Sequence, residues 1–512
     1  MSPTGFLGVF TTFAALLVGR TSAFASSSPR ADNEDYSRAY KACQLLQATV
    51  PKLVSFPGSE QYVNDTEHWA VSSQQNSTCS IEPTSADDVG TIIGVLGRSD
   101  IRSPFAVKSG GHAYNLGQSS TPGVQISMAQ FKNITYDAEQ GTVMLGVGLT
   151  WGEVYERLEP LGVMVAGGRI SGVGVGGYSL GGGYSWKTNQ YGLLIDTVVS
   201  HDLVLPSGEF IHVTNATNPD LFFGLRGGLN NFGIVTSITV EAHNQSLVYG
   251  GTLTYSMDAI QSLNEAISNF SLNNTDPKAQ IIPVYASVSN QFISQILLFY
   301  DGPTPAPGVY DEILSIPTVQ SDIQTRTFVN LMSLFGNDLG IGPFGVAQHT
   351  VPIVHYPKPV LDEMVTQVVS FGEQLSAQHN GSTVIVSIAP EPFFNPFSHS
   401  RGGAYPHPPS RQVTPASAYF AYQEDPSAPL PVRIAHHNDF VDAIKSFTHN
   451  IQAKAVSEGV SRWDDISYPN YALSDTPLDL LYGSNVPRLQ QLAAQYDPDG
   501  VMALTGGFRF QE

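Results

Sequence analysis

Cysteine is almost missing from this chain of 512 residues: Cys43 and Cys79 are the whole complement, and both sit early. Two cysteines exclude a disulfide-framed scaffold, although in an oxidising compartment they would pair with each other. No metal site is expected. Basic residues are also scarce, 24 Lys and Arg against 44 Asp and Glu, for a net charge of −20. A surface this acidic excludes nucleic acid and anionic membranes as partners. Long apolar runs are missing after the extreme N-terminus, where no stretch of eighteen apolar residues remains, so no membrane span is expected. Internal repeats and long linkers are missing too. The expected mature chain is soluble and monomeric.

The N-terminus has its own pattern. Phe6 to Val18 is a short apolar run, too short to span a bilayer, and it leads to Ala23-Phe24-Ala25 before a Ser-rich start. This reads as a signal peptide over residues 1–25, with a weak internal anchor as the bland alternative. Eight N-x-S/T sequons agree with secretion, at Asn64, Asn76, Asn133, Asn215, Asn244, Asn269, Asn273 and Asn380; Asn218 precedes a proline and is excluded. The expected localisation is extracellular, with glycans at those sites.

What the chain does have is glycine (48), proline (34) and aromatics (22 Tyr, 26 Phe). That balance favours strands and tight loops over a helical bundle. Apolar residues make up 42%, enough for two domains. Asp35 to Val50 has helical spacing through Tyr40, Cys43, Leu45 and Leu46. Ser85 with Asp88 marks a capped helix running to about Leu96. From Ala106 to His243 short β-type runs alternate with glycine-rich turns. From Val248 to about Val456 long extended runs alternate with helical runs such as Pro359 to Gln378 and Asp439 to Glu458. That pattern reads as an antiparallel sheet with covering helices. A last helix covers Arg488 to Tyr496, before a turn at Asp497-Pro498-Asp499-Gly500.

Two glycine-rich stretches carry the chemistry. One is KSGGHAYN, Lys108 to Asn115. The other is GGRISGVGVGGYSLGGG, residues 167–183, in which nine of seventeen positions are glycine. Glycine at that density is costly in backbone entropy, so the chain needs either positive φ or direct backbone contact with a ligand. Three motifs overlap here. Gly172-x-Gly174-x-x-Gly177, with Asp196 downstream, matches a dinucleotide fingerprint that must open a helix. Gly177-x-Ser179-x-Gly181 matches a nucleophile elbow and would make Ser179 a hydrolase nucleophile. Tyr178 to Gly183 is a poor helix start, since each glycine costs roughly 1 kcal/mol against alanine, and this weighs against both. A glycine-rich turn without a ligand is the bland alternative. In the third reading the two loops clasp one elongated anionic cofactor. Exposed backbone N–H groups suit a pyrophosphate, and Lys108 adds positive charge nearby.

Taken together the motifs resemble the FAD-linked oxidases of the vanillyl-alcohol oxidase superfamily (PCMH-type FAD-binding), and within it the berberine-bridge-enzyme-like group. The similar elements are the early cysteine, Cys79-Ser-Ile-Glu-Pro83, Val107-Lys108-Ser109-Gly110-Gly111-His112, the run from Gly172 to Gly183, Asp196 to Leu205, Asp220 to Gly228 (DLFFGLRGG), Asn231-Phe232-Gly233-Ile234-Val235, Pro469-Asn470-Tyr471, Tyr482-Gly483-x-Asn485-x-x-Arg488-Leu489 and Tyr496-Asp497-Pro498. They run in order along nearly the whole chain. The implied fold class is α+β: a two-part PCMH-type FAD-binding domain with an inserted substrate domain of antiparallel sheet plus helices. The boundaries it implies are an N-terminal helical segment at 26–74, the FAD-binding domain at 75–245, the substrate domain at 246–460 and a C-terminal return at 461–512.

The resemblance implies FAD as cofactor, linked through its 8α carbon to His112. Lys108, Ser109, Gly110, Gly111, Gly168, Ser171, Gly172, Val173, Gly176, Gly177, Tyr184, Val235 and Asn470 are the other expected FAD-binding residues. Many relatives add a cysteinyl bond just before the Gly-Val-Gly run; Ile170 or a neighbour stands there, so a single covalent link is expected. The implied reaction passes hydride from a substrate C–H to the flavin and then electrons to O₂, releasing H₂O₂. The candidate bases are on the strand that holds Tyr419, Tyr422 and Glu424, where alternation puts Tyr422 and Glu424 on one face, and at Tyr468 and Tyr471. A tyrosine ionises near pH 10 and would need a nearby cation or acid. The expected substrate is a small alcohol, amine or phenol of secondary metabolism, with an oligosaccharide as the alternative. A flavin-binding protein without turnover is the reading from another class.

Overall fold

The computed structural model describes residues 33–335, 343–379, 382–425 and 427–511. The signal segment 1–25 and the sequon at Asn380 lie outside them.

Two groups of sheets divide the described chain. In the first group, Cys79–Ile81, Val124–Ser127 and Phe105–Lys108 run parallel, with Val54–Ser55 antiparallel on the far edge. Beside them is a five-stranded antiparallel sheet ordered Ile134–Asp137, Thr142–Gly146, Ile234–Glu241, Val198–Val204, Phe210–Thr214. The second group is a single large sheet. Its seven antiparallel strands are ordered Gln320–Arg326, Val248–Tyr255, Gln291–Tyr300, Ala279–Val288, Val384–Pro390, Thr414–Gln423, Phe344–Ile353. The architecture is α+β, as the alternation of runs implied.

Local chemistry explains the elements. Ser85 accepts from the Asp88 backbone N–H while the Asp88 carboxylate accepts from the Ser85 N–H, so the capping box starts the helix Ala86–Leu96. That helix buries Val89, Ile92, Ile93 and Leu96, each worth about 1.5–3 kcal/mol when fully removed from water. The first helix, Asn33–Thr49, buries Ala42, Cys43 and Leu46. Tyr40 shared the sequence spacing but points outward, 51% exposed; its large polar ring sits at the edge of a narrow apolar stripe. Cys43 and Cys79 form a disulfide, which ties this helix to the parallel sheet.

The helices Ile260–Asn273, Lys358–Gln378 and Leu430–Ser457 lie on one face of the seven-stranded sheet. They share a core with Phe420, Tyr422, Val386 and Ile388 from its strands. The C-terminal residues return to the first core, which includes Leu489, Leu492, Phe508 and Phe510. Asn231 holds that return by donating to the Phe508 carbonyl at 3.0 Å. The opposite face of the seven-stranded sheet is left to meet the glycine loops.

Candidate active site at a glycine-lined cavity

A cavity of about 470 Å³ lies between the glycine loops, the C-terminal return and the free face of the seven-stranded sheet. Three parts of the sequence build it, so its chemistry is best followed wall by wall.

The first wall is backbone. Gly110 and Gly174 meet directly: a Cβ on Gly110 would sit 2.6 Å from the Gly174 nitrogen, and one on Gly174 only 2.3 Å from the Gly110 nitrogen. The glycines at these two positions are therefore required by loop-to-loop contact. Ser109 locks the joint, donating to the Val147 carbonyl at 2.5 Å and accepting from the Gly176 N–H at 3.2 Å. Gly111 turns at φ +67, which carries the chain into His112. By contrast, a Cβ on Gly177 would meet nothing within 4 Å, and Gly177 lines the cavity. There the missing side chain leaves room for a ligand.

Most of the expected cofactor residues line this cavity: Ser109, Gly110, Gly111 and His112 on one loop, and Gly168, Val173, Gly176 and Gly177 on the other. Tyr184, Val235 and Asn470 line it as well. Three do not. Lys108 precedes the loop on the opposite strand parity and points away; its ammonium is buried and donates to the Asn64 carbonyl at 2.6 Å. Ser171 donates to the Met332 carbonyl at 3.3 Å, and Gly172 lies behind the Gly110 contact.

His112 stacks on Trp69, with ring centroids 4.4 Å apart and planes 12° apart. Trp69 packs edge-on against Phe344 and Tyr114. The imidazole is thus held flat at the cavity wall.

The second wall holds the ionisable groups. Arg169 and Glu391 form a buried ion pair, Nη1 to Oε2 at 2.7 Å. Arg169 Nη2 also donates to Tyr471 Oη at 2.7 Å, and Tyr471 donates to Glu391 at 3.2 Å. Burial works against the Arg169 charge, but Glu391 and Tyr471 outweigh it and push the pKa up. Burial lifts Glu391 above the usual carboxylate range, and Arg169 draws it back.

Tyr468 is next to this cluster. Its oxygen accepts from the Gly183 N–H and from Asn470 Nδ2, both at 3.0 Å. Burial pushes its pKa up to about 12; the bonds from Asn470 and Gly183 and the charge of Arg169 oppose the rise. Arg169 is thus a nearby cation, but burial outweighs it.

Two candidate bases are misplaced by the sequence reading. Tyr422 lies in the core between the sheet and its helices, stacked 4.1 Å from Phe440 and bonded to His437 Nδ1 at 2.9 Å. Glu424 follows that strand and pairs with Arg433 at 2.7 Å. Neither lines the cavity. Alternation was read correctly, but the cavity takes the other face, that of Ser417 and Tyr419.

Glu391 and Gln348 were missed as well. The signal for Glu391 was there: Ser387, Ala389 and Glu391 keep one parity in VIVSIAPE, so an acid continues a buried strand face.

The remaining motif readings do not survive the geometry. A short helix, Val175–Leu180, does open after Gly174, contrary to the expectation from the glycines, and Gly181 ends it. Asp196 is buried and accepts from the Leu193 and Arg401 N–H groups and pairs with His407 Nε2 at 2.8 Å, so it faces no ribose. Ser179 is 1% exposed and donates to the Val175 carbonyl at 2.6 Å, an intrahelical bond rather than a nucleophile's setting.

Comparison with known proteins gives the family and the fold. A family described as an FAD binding domain matches residues 77–214. An FAD-dependent monooxygenase of Aspergillus calidoustus is 30% identical over 489 residues, covering 92% of this chain and 90% of the relative. An FAD-dependent monooxygenase of Penicillium terrestre is 34% identical over 67% of each chain. Among solved structures, 6-hydroxy-D-nicotine oxidase of Arthrobacter nicotinovorans matches with a TM-score of 0.71 at 19% identity, covering 88% of this chain and 96% of that one. Berberine bridge enzyme matches at 0.71 and 17%, covering 90% and 98%. These two similarities speak for the fold.

Proposed function

Since the chain belongs to the berberine-bridge-enzyme-like FAD-linked oxidoreductases, we propose that it is a secreted oxidase that uses O₂ and carries FAD on His112. The residues fit the group. Gly177 leaves space where a Cβ would stand, the Gly110–Gly174 contact brings two backbone loops to one edge, and His112 is held flat in the wall. Bound FAD supplies the redox step, taking hydride from a substrate C–H and returning the electrons to O₂ as hydrogen peroxide.

The chain's own residues supply position and proton transfer. Tyr468 is the base. Its oxygen is the acceptor in both of its bonds, so the ionised form is already solvated by two donors. It takes the proton from the substrate O–H or N–H while the C–H is oxidised. Arg169 supports the negative charge on Tyr468, and Glu391 with Tyr471 holds the guanidinium in place.

The observation that carries the substrate reading is the sheet wall. Ile282, Val284, Leu297 and Ala389 present an apolar surface there. A polyhydroxylated sugar would leave most of its hydroxyls unpaired against it. An apolar alcohol, amine or phenol of secondary metabolism suits it better than an oligosaccharide. Secretion is supported by the Cys43–Cys79 bond and by the exposure of Asn64, Asn76, Asn133, Asn215, Asn244 and Asn273; Asn269 is half-buried.

The test begins with acid precipitation of the purified protein. Yellow colour retained in the wild-type pellet and lost from the His112→Ala pellet is the expected result, with peroxide released on a panel of apolar alcohols. Colour washed out of both pellets would remove the His112 link. A yellow protein that releases no peroxide on any panel member would be a binder.

A further inference from the structure

We propose that Gln348 and Tyr419 are the polar anchor of the substrate site, and that they read one hydroxyl group on an otherwise apolar, aromatic substrate. The proposal rests on the oxidase reading above and narrows its substrate class.

The two residues face each other across neighbouring strands, Gln348 on Phe344–Ile353 and Tyr419 on Thr414–Gln423. Both line the cavity. Gln348 is 6% exposed, and its Nε2 donates to Ser417 Oγ at 3.0 Å. That leaves Gln348 Oε1 buried and without a donor among the described residues. The Tyr419 hydroxyl is also buried, with no partner among the described residues. Ser387, opposite Tyr419 on the other side, already donates to the Tyr419 carbonyl at 2.8 Å and does not satisfy it.

A buried acceptor and a buried donor left open on cross-strand partners are each costly, about 1–3 kcal/mol. One ligand hydroxyl answers both, donating to Gln348 Oε1 and accepting from Tyr419 Oη–H. An ether or a ketone accepts from Tyr419 but leaves Gln348 facing another acceptor. A carboxylate has the same fault and adds a charge. The neighbourhood fixes the rest of the ligand: Trp69 lies 6.1 Å from Tyr419, and Ile282, Val284 and Leu297 complete an apolar surround.

This hydroxyl is an anchor, distinct from the reacting group. Tyr419 packs with Trp69, Tyr114 and Phe344, whereas Tyr468 packs with Tyr184, Tyr405 and Phe393, so the base and the anchor belong to separate aromatic clusters of one cavity.

The experiment titrates the flavin-loaded protein with 2-naphthol and with its methyl ether, 2-methoxynaphthalene, following the flavin absorbance. The wild type should bind the naphthol about tenfold or more tightly than the ether. Gln348→Met should bring that ratio close to one, and Tyr419→Phe should weaken both probes. Equal binding in the wild type overturns the proposal, because a Gln348 amide turned the other way presents a donor and would accept the ether equally well. Binding of neither probe overturns it, and so does a variant that arrives without flavin, because the pair would then serve the cofactor. If Gln348→Met does not fold, Tyr419→Phe decides alone: unchanged affinities overturn the proposal. A wild type purified without flavin removes the oxidase reading itself, whereas a yellow wild type that fails to discriminate removes only this pair.

Discussion

The two walls of the cavity are built on different physical principles. The glycine wall works through what its side chains lack: Gly110 and Gly174 let two backbones touch, and Gly177 leaves space. The sheet wall works through which side chains a strand presents, so that Ser387, Ala389 and Glu391 face the cavity while Tyr422 on the next strand faces the helices. A backbone wall tolerates almost no substitution and suits a constant cofactor. A side-chain wall can be rewritten at alternate positions without disturbing the sheet, and suits a substrate that differs between relatives.

The largest expected effect lies where the walls meet. Tyr468→Phe should lower kcat by about 10²–10⁴ while the protein stays yellow, because it removes the proposed base and, of the glycine run, changes only the partner of the Gly183 N–H. Turnover within a fewfold of wild type would move the base elsewhere. Next comes Glu391→Ala, which leaves Arg169 buried without its partner and should cost about 3–5 kcal/mol of stability in denaturant unfolding. Gly174→Ala should cost about 1–3 kcal/mol or more, since its Cβ meets Gly110 at 2.3 Å, and should reduce flavin content. Gly177→Ala is the matched control. Its stability should stay within about 0.5 kcal/mol of wild type, and any loss should appear only in flavin affinity.

Acid should act on the part of the fold that carries the glycine loops through two buried histidines, His68 and His201. Burial lowers the pKa of His68 to about 4 and of His201 to about 3. Both are therefore neutral in the fold and protonate more readily when unfolded. Their contribution is present above pH of about 6.5 and is lost as the pH falls towards those lowered values. Hydrogen exchange should show the strands around His201 losing protection as pH drops from 7 to 4. Protection unchanged across that range would mean that the histidine is solvated.

The fold was legible to the extent that it is written in local rules. Ser85 and Asp88 announced a cap, the helix Lys358–Gln378 fell where it was read, and Cys43 found Cys79, but the helix Leu430–Ser457 starts nine residues before the Asp439 at which it was read. The glycine loops were legible because dense glycine is costly and therefore informative. Tyr468, Tyr471 and Asn470 were legible through the company of other motifs. Lys108 misled because strand parity turned its buried ammonium away from the cavity, to the Asn64 carbonyl.

By itself, then, the sequence determined the α+β class, the two glycine loops, His112 at the end of one of them and the FAD-linked family, since each depends on residues close in the chain or on a pattern of motifs in order. Only the tertiary structure decided which face of the seven-stranded sheet meets the cofactor loops. That choice set aside Tyr422 and Glu424, brought Glu391 against Arg169 across 222 residues, and placed Gln348 beside Tyr419. The physical reason is that alternation defines two faces of a strand but gives neither a label, and the label comes from which neighbours pack against it.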